Sequence, residues 1–75
     1  MNMEYRMYIT CITNGEILFS GLWVLGYFGS DEEAISDMER WLRDKQRDYD
    51  EIKYHITQGG REVKEGTLLK KDLPA

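Results

Sequence analysis

The stretch that decides the fold is residues 4–28, EYRMYITCITNGEILFSGLWVLGYF. It is rich in β-branched and aromatic residues, which favour strands. The dipeptide Asn14-Gly15 divides it into two runs. Asn-Gly between two such runs is the strongest short signal for a β-hairpin, because a type I′ turn needs positive φ at both central residues. The second run, residues 16–28, is long for one strand, and its two glycines predict a bulge or a bend.

A helix is predicted directly after this hairpin. Ser30 and Glu33 have the spacing of a capping box, in which the serine hydroxyl accepts from the Glu33 backbone N–H and the glutamate reaches back. Apolar residues then recur at helical spacing, namely Ala34, Ile35, Met38, Trp41 and Leu42. We therefore expect a helix over residues 31–48, with acids in its first turn and bases toward its end, as the helix dipole favours.

The remaining chain predicts a second hairpin. Residues 51–57, EIKYHIT, alternate between apolar and polar side chains, and QGGR at 58–61 is a turn signal before a weaker strand over 62–69. The fold class is therefore α+β, a two-layer sandwich of order β-β-α-β-β with one helix on an antiparallel sheet of strand order 2-1-3-4. We expect a single domain over residues 1–70 and a flexible C-terminal tail over residues 71–75.

The hairpin register predicts which side chains share a face. A two-residue loop pairs Thr13 with Glu16, and strict alternation outward from this pair would be reset only by a bulge, expected at Gly21. One face then carries Met7, Ile9, Cys11, Leu18, Leu22 and Val24, and the opposite face carries Tyr8, Ile12, Ile17, Phe19 and Trp23. Since one helix covers one face, we expect the first set beneath the helix and the second set to be a partner-binding surface.

Three hypotheses remain for what covers that second face. A second copy could stack on it sheet to sheet, a different protein could dock there, or the C-terminal segment with Val63, Leu68 and Leu69 could fold over it. Small monomers rarely expose large apolar patches, and exposed aromatics are typical of interface centres. The leading hypothesis is a non-enzymatic protein-binding module, a homodimer that occupies a surface of another macromolecule.

The negative charge of the protein is concentrated in one segment. The net charge is −4, and residues 31–51 contain nine acids and four bases. This argues against direct nucleic-acid binding through phosphate attraction. The acidic face formed by Glu32, Glu33 and Asp37 suggests an alternative function, inhibition of a nucleic-acid enzyme by imitating the charge of its substrate. A solvated helix face explains the same acids more simply.

The counts of reactive residues argue against an enzyme. Cys11 is the single cysteine and His55 the single histidine, which leaves no intrachain disulfide, no cysteine cluster and no histidine pair. We expect no catalytic residue, no cofactor and no metal site. A third hypothesis is a binder of a small nucleotide-like ligand at a dimer seam, where Arg6, Lys53 and Arg61 would supply positive charge.

The location of the protein is inferred from segments that the sequence lacks. No apolar run approaches the roughly 20 residues of a membrane span, and the first residues lack the layout of a signal peptide. We expect a cytoplasmic protein without a membrane partner. Its small size, its acidity and its lack of motifs are typical of accessory or inhibitor proteins encoded by phages and mobile elements.

Overall fold

The computed structural model describes residues 2–73 and confirms the predicted fold. The elements are β1 (Met3–Thr13), β2 (Glu16–Phe28), α1 (Asp31–Lys45), β3 (Glu51–Gln58), β4 (Arg61–Leu69) and a short 3-10 helix, Lys70–Asp72. The four strands form one antiparallel sheet in the order β2-β1-β3-β4, and α1 packs on one face of it. Among the described residues no helix is long and apolar enough to cross a membrane.

Both hairpins are closed by two-residue turns with positive φ. Asn14 and Gly15 have φ of 53° and 74°, as the Asn-Gly dipeptide predicts, and Gly59 and Gly60 have φ of 58° and 81°. Left-handed backbone is accessible to glycine without strain and to asparagine at little cost. These two turns therefore fix where each hairpin reverses.

The helix begins where the capping box predicts and ends earlier than predicted. The Ser30 hydroxyl accepts from the Glu33 backbone N–H at 3.3 Å, which satisfies one of the unpaired donors of the first turn. The predicted end at residue 48 is wrong, because α1 stops at Lys45. There the buried Gln46 donates its side-chain amide to the backbone oxygen of Leu69 at 2.8 Å, which ties the end of the helix to the end of β4.

The core lies between α1 and the inner strands of the sheet. Its buried residues are Tyr5, Met7, Ile9, Cys11, Ala34, Met38, Leu42, Ile52 and Ile56. Alternate residues of β1 thus face the helix, as predicted for Met7, Ile9 and Cys11. Burial of each large side chain contributes roughly 1.5–3 kcal/mol.

The predicted pairing of β2 is wrong beyond its first two pairs. Thr13 faces Glu16 and Ile12 faces Ile17 as expected, but Cys11 then faces Phe19, so Leu18 is an extra residue in β2. One extra residue moves the side chains that follow it to the opposite face. A second extra residue, Leu25, adjoins Gly26, because Arg6 pairs with Val24 and Tyr5 pairs with Gly26. The irregularity expected at Gly26 is therefore confirmed, whereas the one expected at Gly21 lies three residues earlier, at Leu18. As a result, Phe19 and Trp23 lie on the helix side of the sheet, and Leu22 and Val24 lie on the other side.

The C-terminal segment does not cover the free face of the sheet. It pairs with β3 as β4, and Val63 and Leu68 pack against the core beneath the helix. The interpretation in which this segment folds over the free face is therefore wrong. Of the predicted tail, Lys71 and Asp72 belong to the 3-10 helix, while Pro74 and Ala75 lie outside the described residues, and its flexibility stays a prediction.

Candidate functional site

The sheet face opposite α1, here called the open face, has no covering element among residues 2–73. Its side chains form four rows across the sheet, because directly paired residues share a face. From β2 to β4 these rows are Ile17-Ile12-Glu51-Leu69, Ser20-Thr10-Lys53-Thr67, Leu22-Tyr8-His55-Glu65 and Val24-Arg6-Thr57-Glu62. The side chains over β2 are mainly apolar, and those over β3 and β4 are mainly polar.

The part of the open face formed by Ile17, Leu22, Val24, Tyr8 and Ile12 is here called the apolar half. Leu22 is 46% exposed, Val24 47%, Tyr8 45% and Ile17 61%, and Ile12 is half-buried. β2 is also an edge strand, and its residues 17–28 carry no charge. Long, uncharged and apolar edge strands are ready templates for pairing with another chain.

The structure keeps three of the five predicted partner-binding residues on one surface. Tyr8, Ile12 and Ile17 lie on the open face. Trp23 is half-buried on the helix side, where its ring meets Trp41 with centroids 5.5 Å apart. Phe19 also lies on the helix side, although it stays 44% exposed at the margin of the sheet.

Leu22 and Val24 take the places that sequence reasoning gave to Phe19 and Trp23. Only a correct position for the bulge would have found them. No glycine marks that position, since the extra residue is Leu18.

A second cluster lies on the polar side of the open face and was not foreseen. His55, Glu62 and Glu65 bring one ligand atom each to within 4.8 Å of one another. His55 Nδ1 lies 3.9 Å from Glu62 Oε1, and the Tyr8 ring packs edge-on against the imidazole with centroids 5.2 Å apart. Strict alternation would place residues 62 and 65 on opposite faces of the sheet. The sequence pattern therefore does not predict that Glu62 and Glu65 meet.

The predicted acidic face lies on α1, away from the open face. Glu32 and Glu33 are exposed, and Asp37 is half-buried. The Glu33 carboxylate accepts from the backbone N–H of Gly29 at 3.4 Å, and Glu39 accepts from Lys64 Nζ at 3.3 Å. Part of the acidity of this segment is therefore offset by contacts within the chain.

Asp31 joins the helix to both hairpins. Its carboxylate accepts from the Tyr5 hydroxyl at 2.6 Å and from both terminal nitrogens of Arg61 at 2.9 and 3.0 Å. The hydrogen bonds from Arg61, followed by the one from Tyr5, lower the pKa of Asp31 to about 2. The hydrogen bond to Asp31, followed by burial, raises the pKa of Tyr5. This arrangement is a structural tie between β1, α1 and β4.

The three bases of the small-ligand hypothesis do not form one cationic cluster. Arg6 pairs with Glu4 at 2.8 Å, Lys53 lies 3.9 Å from Glu51, and Arg61 pairs with Asp31. Arg61 moreover faces the helix, whereas Arg6 and Lys53 lie on the open face. Each of these charges is thus opposed by a carboxylate of the same chain.

The single cysteine is separated from the single histidine by the sheet. Cys11 is buried beneath the helix, and this burial raises the pKa of its thiol. His55 lies on the open face beside a groove of about 560 Å³, which Tyr8, Lys53 and Glu65 help to line. Comparison with models of protein families, with curated proteins and with solved structures finds no match to this chain.

Proposed function

We propose that this protein is a non-enzymatic protein-binding module that forms a homodimer through the apolar half of its open face. One observation carries the proposal: of the eight large hydrophobic residues exposed among residues 2–73, four lie together on the apolar half, namely Tyr8, Ile17, Leu22 and Val24. A monomer gains nothing from this placement, because the same side chains would be stabilised under cover. Self-association supplies that cover.

The size of the apolar half indicates how strong the dimer is. Residues 17–24 of β2 span about 25 Å at roughly 3.3 Å per residue, and two strands about 4.8 Å apart make a strip of about 250 Å². A standard stable interface buries about 800 Å² on each partner. The strip is smaller than that, so we expect a dimer that dissociates in the micromolar range.

A second copy fits this surface better than a charged partner does. A two-fold interface brings the same patch of both chains together and must be complementary to itself. The five residues of the apolar half meet this condition without like charges, and the adjoining Arg6, which pairs with Val24, is opposed by Glu4. The opposite edge of the sheet does not meet this condition, because β4 carries Arg61, Glu62, Lys64 and Glu65. Stacking through the open face leaves α1 accessible to a further macromolecule.

The test is the oligomeric state across a concentration series, measured by sedimentation velocity from 1 to 500 μM. We expect the wild-type protein to pass from monomer to dimer within this range and Leu22→Lys to stay monomeric, because a lysine at the centre of the apolar half must be desolvated in the dimer. Thr67→Lys places the same charge on the same face at β4 and is expected to dimerise like the wild type.

Two results would contradict the proposal. One is a wild-type protein that is monomeric at 500 μM. The other is an equal loss of dimer in Leu22→Lys and Thr67→Lys, which would place the interface elsewhere on the sheet. Circular dichroism of each variant checks that the fold is kept.

A further inference from the structure

We propose that His55, Glu62 and Glu65 form a binding site for a divalent transition metal, with zinc as the best fit. The site lies on the polar side of the open face, over β3 and β4, and does not depend on the proposed dimer. Sequence reasoning expected no metal site, because one histidine and one cysteine cannot supply one. The fold places two carboxylates beside the histidine, and these three side chains together can supply a metal site.

A β-bulge in β4 creates the cluster. Ile56 pairs with Lys64, but the next residue, Thr57, pairs with Glu62, so Val63 is an extra residue. Without it, counting from the turn would pair His55 with Lys64, and Glu65 would lie on the helix side. Val63 instead packs against the core, and Glu65 joins Glu62 on the open face. Bulges commonly re-aim a side chain beside a functional site.

The distances are within reach of one metal ion. Glu65 lies directly opposite His55 across the strand pair, and Glu62 lies one row further along. Zinc binds imidazole nitrogen at about 2.0–2.1 Å and carboxylate oxygen at about 2.0–2.2 Å, so tetrahedral ligand atoms lie about 3.4 Å apart. The ligand atoms here lie within 4.8 Å of one another. Glutamate side chains, with three rotatable bonds each, can close the remaining gap.

The donor set favours zinc over magnesium or calcium. Imidazole suits zinc and its neighbours in the first transition series, whereas magnesium and calcium prefer oxygen ligands alone. One nitrogen and two oxygens make three protein ligands, and a three-ligand zinc site keeps its fourth position for water or another molecule. The groove beside His55 gives access to that position.

The surroundings of the cluster are compatible with a cation. The edge-on contact with Tyr8 restricts the orientation of the imidazole ring. The nearest bases on the open face, Lys53 and Arg6, are opposed by Glu51 and Glu4. These contacts offset the positive charge that would otherwise repel an incoming metal ion.

The first test is isothermal titration of the full-length protein with zinc chloride. We expect one saturable site per chain. Affinity should fall about tenfold or more in His55→Ala, Glu62→Gln and Glu65→Gln, since each variant removes a ligand. Glu32→Gln removes the same charge from the exposed surface of α1 and should bind zinc like the wild type. Magnesium should give no saturable heat.

The second test uses the fact that the chain has a single histidine. Its imidazole carbon-bound protons give one set of NMR signals, which zinc should shift or broaden at one equivalent. The proposal is overturned if these signals do not respond to zinc, or if binding in the titration survives His55→Ala. An unresponsive imidazole would show that His55 and Glu62 are surface neighbours only. Both readouts apply to monomer and dimer alike, so failure of the dimer proposal would not affect them.

Discussion

The two hairpins of this protein are built alike and present opposite surfaces. Each has a two-residue turn of positive φ, an inner strand whose alternate residues are buried, and an outer strand whose third residue is an extra one. In the first hairpin the extra residue Leu18 brings Leu22 and Val24 to the open face. In the second, Val63 brings Glu65 there. The outer strands therefore determine which side chains differ between the two halves of the open face, and the inner strands supply the buried core residues of the sheet.

The two edges of the sheet differ in charge, and this difference indicates that only the β2 edge is suited to bind another chain. The edge at β4 carries charges that discourage pairing with another chain, whereas β2 carries none over residues 17–28. A domain of this size has only a few kcal/mol of net stability. Leaving apolar side chains exposed on β2 therefore suggests a use for them outside the monomer.

The largest expected effect tests whether the two inner strands, β1 and β3, contribute equally to the free energy of unfolding. Ile9 on β1 and Ile56 on β3 are both essentially inaccessible, and truncating either to alanine should cost about 2–5 kcal/mol. Leu22→Ala on β2 should cost less than about 1 kcal/mol, because most surface substitutions have small effects. Urea unfolding at a concentration below dimer formation measures all three. A cost for Leu22→Ala equal to that for Ile56→Ala would show that the monomer covers the open face.

A smaller effect is expected from breaking the tie that holds both hairpins to the helix. The pKa of Asp31 is about 2 in the folded protein and about 3.9 in an unfolded chain. A lowered folded pKa gives stability that is full above the unfolded value and is lost as the pH falls through the folded value. The stability advantage of the wild type over Asp31→Asn should therefore shrink between about pH 4 and pH 2.

Thermal unfolding from pH 2 to pH 6 measures this dependence. Glu32→Gln is the matched control, because Glu32 adjoins Asp31 on the first turn of α1 and its side chain is exposed. We expect the advantage of the wild type over this control to change less across the same interval. Curves for wild type and Asp31→Asn that stay parallel from pH 6 to pH 2 would contradict the linkage.

The fold could be predicted from local sequence signals, but the set of side chains on the open face could not. The Asn-Gly turn, the capping box at Ser30 and the alternation in β3 each act over a few residues, so the element order and the sheet order could be predicted. Position 18 carries no such signal. With Leu18 as the extra residue, Trp23 lies half-buried beside Trp41 and Leu22 lies on the open face, an arrangement that depends on contacts distant in sequence.

The candidate metal site escaped sequence reasoning for the same reason. Counting from the Gly59-Gly60 turn pairs Thr57 with Glu62, as found, but pairs His55 with Lys64. The observed pairing of His55 with Glu65 could not be found in this way, since it depends on Val63 being the extra residue. In both hairpins, the position of the extra residue in the outer strand decides which of its side chains face the helix and which lie on the open face.

The smallest effects compare the two turns directly. An added Cβ meets nothing within 4 Å at Gly15, Gly59 or Gly60, so only backbone strain opposes a substitution there. Gly15→Ala and Gly60→Ala should each cost about 1–2 kcal/mol, because alanine is strained at φ of 74° and 81°. Gly59→Asn should instead stabilise the protein by up to about 1 kcal/mol. Asparagine tolerates φ of 58°, as Asn14 does at 53°, and it restricts the unfolded chain more than glycine does. Chemical denaturation of the three variants checks the order, and an equal cost for Gly59→Asn and Gly60→Ala would exclude φ as the cause.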